Sequence, residues 1–128
     1  LNLIMLTYND YLKSILEKII IAHDRLTKLE DKPGDLEIMK KEILKINGFF
    51  QVIINKVDNG KSTSSDLLDL KSKFEYYLKN YSFDREIETM TLLYSEDSNR
   101  LKNMRLKIIE SLADKKLLSN IEYTVKKL

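Results

Sequence analysis

Apolar residues recur along this chain at alternating steps of four and three, and nowhere settle into steps of two. Tyr8, Leu12, Ile15, Ile19, Ala22, Leu26 and Leu29 share one such seam, the spacing that keeps a single face of an α-helix apolar and compatible with supercoiling. Thr7 and Asp10 stand at the spacing of a capping box, and Leu6 and Tyr11 at that of a hydrophobic staple, so the first helix is expected to begin at Thr7. The pattern stops at Pro33 and Gly34. It resumes at Leu36, Met39, Ile43, Ile46, Phe50, Ile53 and Val57, with Asp35 as the expected N-cap. At 1.5 Å per residue this second helix, of about 22 residues, is about 33 Å long and matches the first; two matched helices across a short turn form an antiparallel hairpin.

A polar loop around Asn59 and Gly60 precedes a third helix, capped by Ser64 or Ser65 and carrying Leu67, Leu70, Phe74, Tyr77 and Tyr81. Continuing that seam would bury Asp84, Glu88 and Thr91. Phe83, Ile87, Met90 and Tyr94 instead resume the pattern one face over, so a kink or break is expected near residues 81–84. A further interruption is expected at "SEDSN", with Ser95 capping a final helix whose apolar face is Leu101, Met104, Ile108, Leu112, Leu118, Ile121, Val125 and Leu128. Gly48 is the one glycine inside a periodic segment.

These patterns predict an all-α fold: one domain over residues 1–128, an antiparallel bundle of about four long amphipathic helices. The same heptad seams would also serve a homodimer. Residues 1–4, ahead of Met5 in "MLTYND", read as leader or vector-derived sequence.

Composition narrows the function classes. With 43% hydrophobic and 33% charged residues, the chain is too apolar for disorder, and at this length a single core buries roughly 65% of the unfolded surface. The net charge of +2 supplies no global field toward nucleic acid or an anionic membrane. Absence of cysteine excludes disulfides, thiolate catalysis and most structural zinc sites. The apolar runs Leu3–Leu6 and Ile19–Ala22 are far short of the roughly 20 residues a spanning helix needs, and no signal peptide is readable. The expected setting is cytoplasmic, with no membrane association.

Candidate chemistry is sparse. His23, the only histidine, is the one side chain that titrates near neutrality unperturbed. With Asp24 it resembles the phosphoacceptor site of histidine-kinase dimerisation helices, which implies phosphorelay, yet Thr27 and Lys28 follow where that family carries a proline. The lysine and glycine that phosphotransfer modules carry three and four residues on are Leu26 and Thr27 here. The seam count puts His23 beside Ala22, as a partly exposed flanking residue. "NGKS" at residues 59–62 ends like a phosphate loop, but Asn55 stands where its first glycine belongs and no strand precedes it. A di-iron bundle needs paired Glu-x-x-His motifs, and no nucleophile and base can be paired. No catalytic, metal or cofactor-binding residue is assigned, and the chain reads as a non-enzyme.

Two surface features remain. "NRLKNMRLK" carries Arg100, Lys102, Arg105 and Lys107 without an acid, just after the acidic "FDREIE" and "SED". Such a segment contacts phosphates or an acidic partner, or else forms salt bridges with Glu86, Glu88, Glu96 or Asp97. Phe74, Tyr76, Tyr77, Tyr81 and Phe83 crowd the expected break; Tyr76 and Phe83 lie off the core stripe and are the expected anchors for a partner. The expected function is a non-enzymatic protein-protein interaction module, an adaptor, chaperone or antagonist binding a partner helix. In size and helical pattern the chain is similar to small bacterial export chaperones, with no motif carrying that likeness. The alternative is a nucleic-acid-binding domain using residues 100–107, and phosphorelay through His23 stands third.

Overall fold

The computed structural model describes residues 3–60 and 64–128, with the backbone alone for residues 3–7. Every regular element among them is helical: α1 (Leu3–Thr27), α2 (Asp35–Asn59), α3 (Ser65–Asn80), α4 (Asp84–Leu93), α5 (Ser98–Ala113), a 3-10 turn (Asp114–Lys116) and α6 (Leu117–Lys127). The expected all-α bundle is what the chain forms, with its four long segments realised as α1, α2, α3 with α4, and α5 with α6. The seams close on one another inside the chain. Leu12, Ile15, Ile19, Ala22 and Leu26 of α1 meet Leu36 to Val57 of α2 and Leu67 to Tyr77 of α3 in one buried cluster. Leu16 joins them, widening the α1 face beyond the two-position seam, as a helix flanked by two neighbours requires. Among the described residues no helix is long and apolar enough to cross a membrane.

Cross-links fix the directions. Tyr8 near the start of α1 donates to the Lys56 carbonyl near the end of α2 (3.0 Å), while Arg25 near the end of α1 bridges Glu42 near the start of α2 (3.4 Å). The two helices are therefore antiparallel. Lys71 to Asp58 (2.6 Å) closes the α2–α3 corner in the same sense. At the other edge Asn120 donates to Asp69 (3.1 Å) and Lys127 approaches Asp66, so α6 runs antiparallel to α3. With α6 also packed on α1, the helices α1, α2, α3 and α6 make a closed ring, and the α4–α5 hairpin is set at the end holding the α1–α2 turn.

Several ends differ from the sequence expectation. Helix α1 runs back to Leu3, so Thr7 lies inside it and not at its cap; Leu3 to Leu6 are helix formers with nothing to stop the turn. Gly34, in the left-handed region at φ 93°, precedes α2. Asp35 is buried in its first turn, where its carboxylate accepts from the Glu30 and Lys32 amides (2.9 and 3.3 Å) and so closes the turn instead of capping the helix. Ser64 caps α3, accepting from the Leu67 amide (3.4 Å). Asp97, not Ser95, caps α5, accepting from the Arg100 amide (3.0 Å), as a carboxylate at that position also meets the helix dipole. The leader reading for residues 1–4 falls partly outside the described residues, and so do Lys61 and Ser62 of "NGKS".

Two breaks shape the second half. Ser82 and Phe83 both take positive φ (42° and 64°), ending α3 where the seam fails. The expected break thus lies at 81–83. The second was not foreseen: Lys115 and Lys116 are left-handed (φ 53° and 59°), which restarts the helix at Leu117, so Leu117 is buried in place of Leu118.

A left-handed non-glycine residue costs about 1–2 kcal/mol, and glycine removes most of that cost. Lys116→Gly is expected to raise stability by about 1 kcal/mol, whereas Lys107→Gly in mid-helix is expected to lower it by about 1 kcal/mol. Urea unfolding of the two variants measures both signs; a loss at Lys116 would mean that the break is not fixed as described.

Candidate functional site

Two openings lie along the α4–α5 hairpin. One cavity of about 430 Å³ runs between the two helices, floored by Phe83, Met90, Tyr94 and Met104 with Arg85, Glu86, Arg100 and Lys107 at its lips. A second, of about 620 Å³, continues from Phe83 to Tyr81, Glu110 and Asp114. Phe83, Glu86 and Lys107 line both, so the two form one groove along α5. Methionines suit such a floor because their unbranched, polarisable side chains adapt to different occupants.

An aromatic ladder carries this floor out from the core. Phe50 of α2 stacks on Phe74 (centroids 4.2 Å apart) and meets Tyr77 edge-on (5.1 Å); Tyr77 approaches Tyr81 (5.6 Å), and Tyr81 stacks on Phe83 (6.1 Å). Tyr81 donates to the Asp114 carboxylate (2.8 Å), tying one break to the other. That hydrogen bond raises the Tyr81 pKa above the usual phenol value. Burial does the same at Tyr77, partly offset by its bond with Ser111. Asn47 of α2 donates to the Ser82 carbonyl (2.9 Å), pinning the break from the other side.

Charge is sorted along the groove. Arg85 and Arg100 lie toward the Tyr94 end, Glu110 and Asp114 toward the Tyr81 end, and Glu86 and Lys107 between them. Arg100 is held, with its guanidinium 3.8 Å from the Tyr94 ring centre and a 3.4 Å bridge to Asp97. Among the described residues neither Arg85 nor Lys107 has an ion-pair partner. They are the cations free to meet a ligand.

The residues singled out from the sequence divide between places. Arg100, Lys107 and Phe83 meet in the groove. Phe83 is only 4% exposed, so it is floor and not the protruding anchor expected: resuming the seam one face over turns its ring inward. Tyr76 is 39% exposed, its ring covered by Lys115 (4.1 Å) and set edge-on to Tyr81 (6.3 Å), beside the groove's acidic end. Lys102 is exposed and makes no ion pair among the described residues. Arg105 is elsewhere altogether. Its guanidinium makes a two-pronged bridge to Asp31 in the α1–α2 turn (2.7 and 2.9 Å), with both side chains about nine-tenths buried, which raises its pKa further. Of the acids expected to pair with the basic segment, only Asp97 does. Arg85, Met90, Tyr94 and Met104 were not singled out as site residues, although the resumed seam through Met90 and Tyr94 marked their face.

His23 is half-buried on α1, as its seam position implied. Burial lowers its pKa, opposed by the nearby Asp24 and Glu122 carboxylates, and Asp24 itself bridges Lys28 (2.8 Å). No group of three His, Asp or Glu side chains able to hold a metal ion occurs among the described residues.

Removing either member of the Arg105–Asp31 pair leaves a largely buried charge alone. Arg105→Ala is expected to cost about 2 kcal/mol, less than the about 3–5 kcal/mol of a fully buried pair, and a double-mutant cycle with Asp31→Ala should return a coupling above about 1 kcal/mol. For His23 the lowered pKa means that the unfolded chain binds the proton more readily, so stability falls as pH drops below about 6.5. An NMR titration should place the imidazole below that value and Asp24→Asn should lower it further, while His23→Gln should remove this part of the acid-side loss. No family model, curated protein or solved structure matches this chain.

Proposed function

We propose that this protein is a non-enzymatic interaction module that seats a segment of a partner protein in the groove between α4 and α5. One observation carries the reading: an open apolar channel floored by Phe83, Met90, Tyr94 and Met104, with two cations at its lips, Arg85 and Lys107, that have no ion-pair partner among the described residues. A floor of this kind takes the apolar stripe of an amphipathic helix, while the lips set its polarity. The occupant is apolar along its centre, acidic where it passes Arg85 and Lys107, and basic where it reaches Glu110 and Asp114. The nucleic-acid alternative is less well served by this arrangement, because Arg105 is bound to Asp31 and Arg100 to Asp97 and Tyr94. Among the described residues, Lys102 and Lys107 are the members of the basic segment without an ion-pair partner for phosphates to replace.

Affinity capture from native lysate of the source organism, with and without nuclease, separates these readings. The expected result is a stoichiometric protein partner that survives nuclease and is lost in Arg85→Glu/Lys107→Glu, with the melting temperature of that variant unchanged. Titrating the partner into methyl-labelled protein should then shift the Met90 and Met104 signals and leave the core Met39 in place. Nucleic acid alone in the eluate, or a partner retained equally by the variant, would overturn the reading.

A further inference from the structure

We propose that the partner segment in the α4–α5 groove is a helix lying parallel to α5, acidic in its first half and basic in its last turns; this rests on the groove reading above and adds the direction in which the segment runs. The starting point is the order of charge along α5. Among the described α-helices it alone has neither an acid in its first turn nor a base in its last. It leads from Arg100 and Lys107 to Glu110, with Asp114 just past its end. A helix dipole favours anions at its start and cations at its end, so these side chains add to the dipole of α5 where they would normally offset it. Asp97 counters the effect at the cap, where it bridges Arg100, while Lys115, the next base, is turned onto the Tyr76 ring. The groove is left with a gradient, positive toward Tyr94 and negative toward Tyr81.

An occupant has to match that gradient, and its own backbone selects the direction. Acids in the first turns and bases in the last stabilise any helix by the same dipole. With its N-terminus at the Tyr94 end, one charge order serves both purposes: acids meet Arg85 and Arg100, and bases meet Glu110 and Asp114. Entering the other way, the helix would need bases first and acids last, and would lose in its own dipole what it gained in the groove. Since α4 leads toward Tyr94 and α5 away from it, the favoured occupant is antiparallel to α4 and parallel to α5.

Length and sidedness follow from the same residues. From Arg100 to Asp114 the groove is about 21 Å long at 1.5 Å per residue, which an occupant spans in about four helical turns. Midway, Glu86 on the α4 lip and Lys107 on the α5 lip line both openings, and neither has an ion-pair partner among the described residues. The central turn of the occupant passes between them, with a base toward α4 and an acid toward α5. Its apolar stripe lies down on Phe83, Met90 and Met104. Turning such a helix end for end exchanges its two sides, so the lips and the gradient select the same direction.

Two synthetic peptides of about 16 residues, long enough for four turns, test the direction. Both carry the same leucines at helical spacing; one has glutamates in its first half and lysines in its second, and the other has the reverse. In fluorescence anisotropy with the full chain, the first should bind about fivefold tighter or more. The second is also the poorer helix on its own, so the pair is measured again with Arg85→Glu/Glu110→Lys, both exposed positions, where the preference should vanish or reverse. A nitroxide on the N-terminus of the first peptide should broaden the Met90 and Met104 methyl signals, and one on its C-terminus should broaden that of Ala113, at the Tyr81 end. Equal binding of the two peptides, an unchanged preference in the variant, the opposite pattern of broadening, or no binding of either peptide at sub-millimolar concentration would each overturn the proposal. The groove reading itself falls by a different result, a captured partner that Arg85→Glu/Lys107→Glu retains.

Discussion

Everything beyond α3 depends on one constraint, the left-handed pair Ser82 and Phe83. Two non-glycine residues in that region cost about 1–2 kcal/mol each, and the conformation persists only because the surroundings hold it. Three contacts do so: Phe83 is buried against Tyr81, Asn47 binds the Ser82 carbonyl, and Tyr81 binds Asp114. Together they reach α2, the C-terminal end of α3 and the 3-10 turn after α5, so the break is anchored from three sides. Its consequence is directional. A straight α3 would have carried Asp84 and Glu88 into the bundle, whereas the turn gives α4 an axis of its own and opens a groove between it and α5.

The second constraint is the Arg105–Asp31 bridge. It joins α5 to the α1–α2 turn across 74 positions of sequence, at the end of the bundle where the ring of α1, α2, α3 and α6 would otherwise be open. A two-pronged guanidinium–carboxylate pair fixes orientation as well as distance, so α5 is held by a polar pin on one side and by Leu101, Met104 and Ile108 on the other. Asp31, itself at φ 62°, and Asp35, committed to the Glu30 and Lys32 backbone amides, are both used to fix the turn, while Glu30 remains exposed beside Lys32.

How legible this was in the sequence followed the range of the interactions. The α1 and α2 seams and the α3 seam from Leu67 to Tyr77 were readable because helical periodicity is local, and the break at 81–83 was readable because continuing the seam would have buried carboxylates. The break at Lys115 and Lys116 was not: lysine carries no signal for a left-handed turn, and the apolar pattern merely slipped from Leu118 to Leu117. Asp97 displaced Ser95 as a cap because either residue type serves, and geometry chose between them. Spacing puts Arg105 on the opposite flank of the seam from Arg100 and Lys107, but not against Asp31, since that partner lies in a turn that only the tertiary fold brings near. Phe83 was placed off the α3 stripe correctly, but its direction depends on backbone dihedrals that no periodicity encodes.

The same geometry divides the molecule into a stiff part and a soft one. The ring helices bury an unbroken set of large side chains, among them Leu16, Ile19, Phe50, Phe74 and Tyr77, and interiors packed in this way move as units. Helix α4 has ten residues and buries only Ile87 and Met90 within its span, so local opening there costs far less than opening the ring. Yet α4 faces two openings at once, with Met90 toward the α5 groove and Leu92 toward Leu44 of α2. A small displacement of this helix changes the width of both openings together, because the helix is rigid and its supports are few. The two openings that α4 borders are therefore mechanically linked through this lightly anchored helix, while the ring that positions them is the stiffer part.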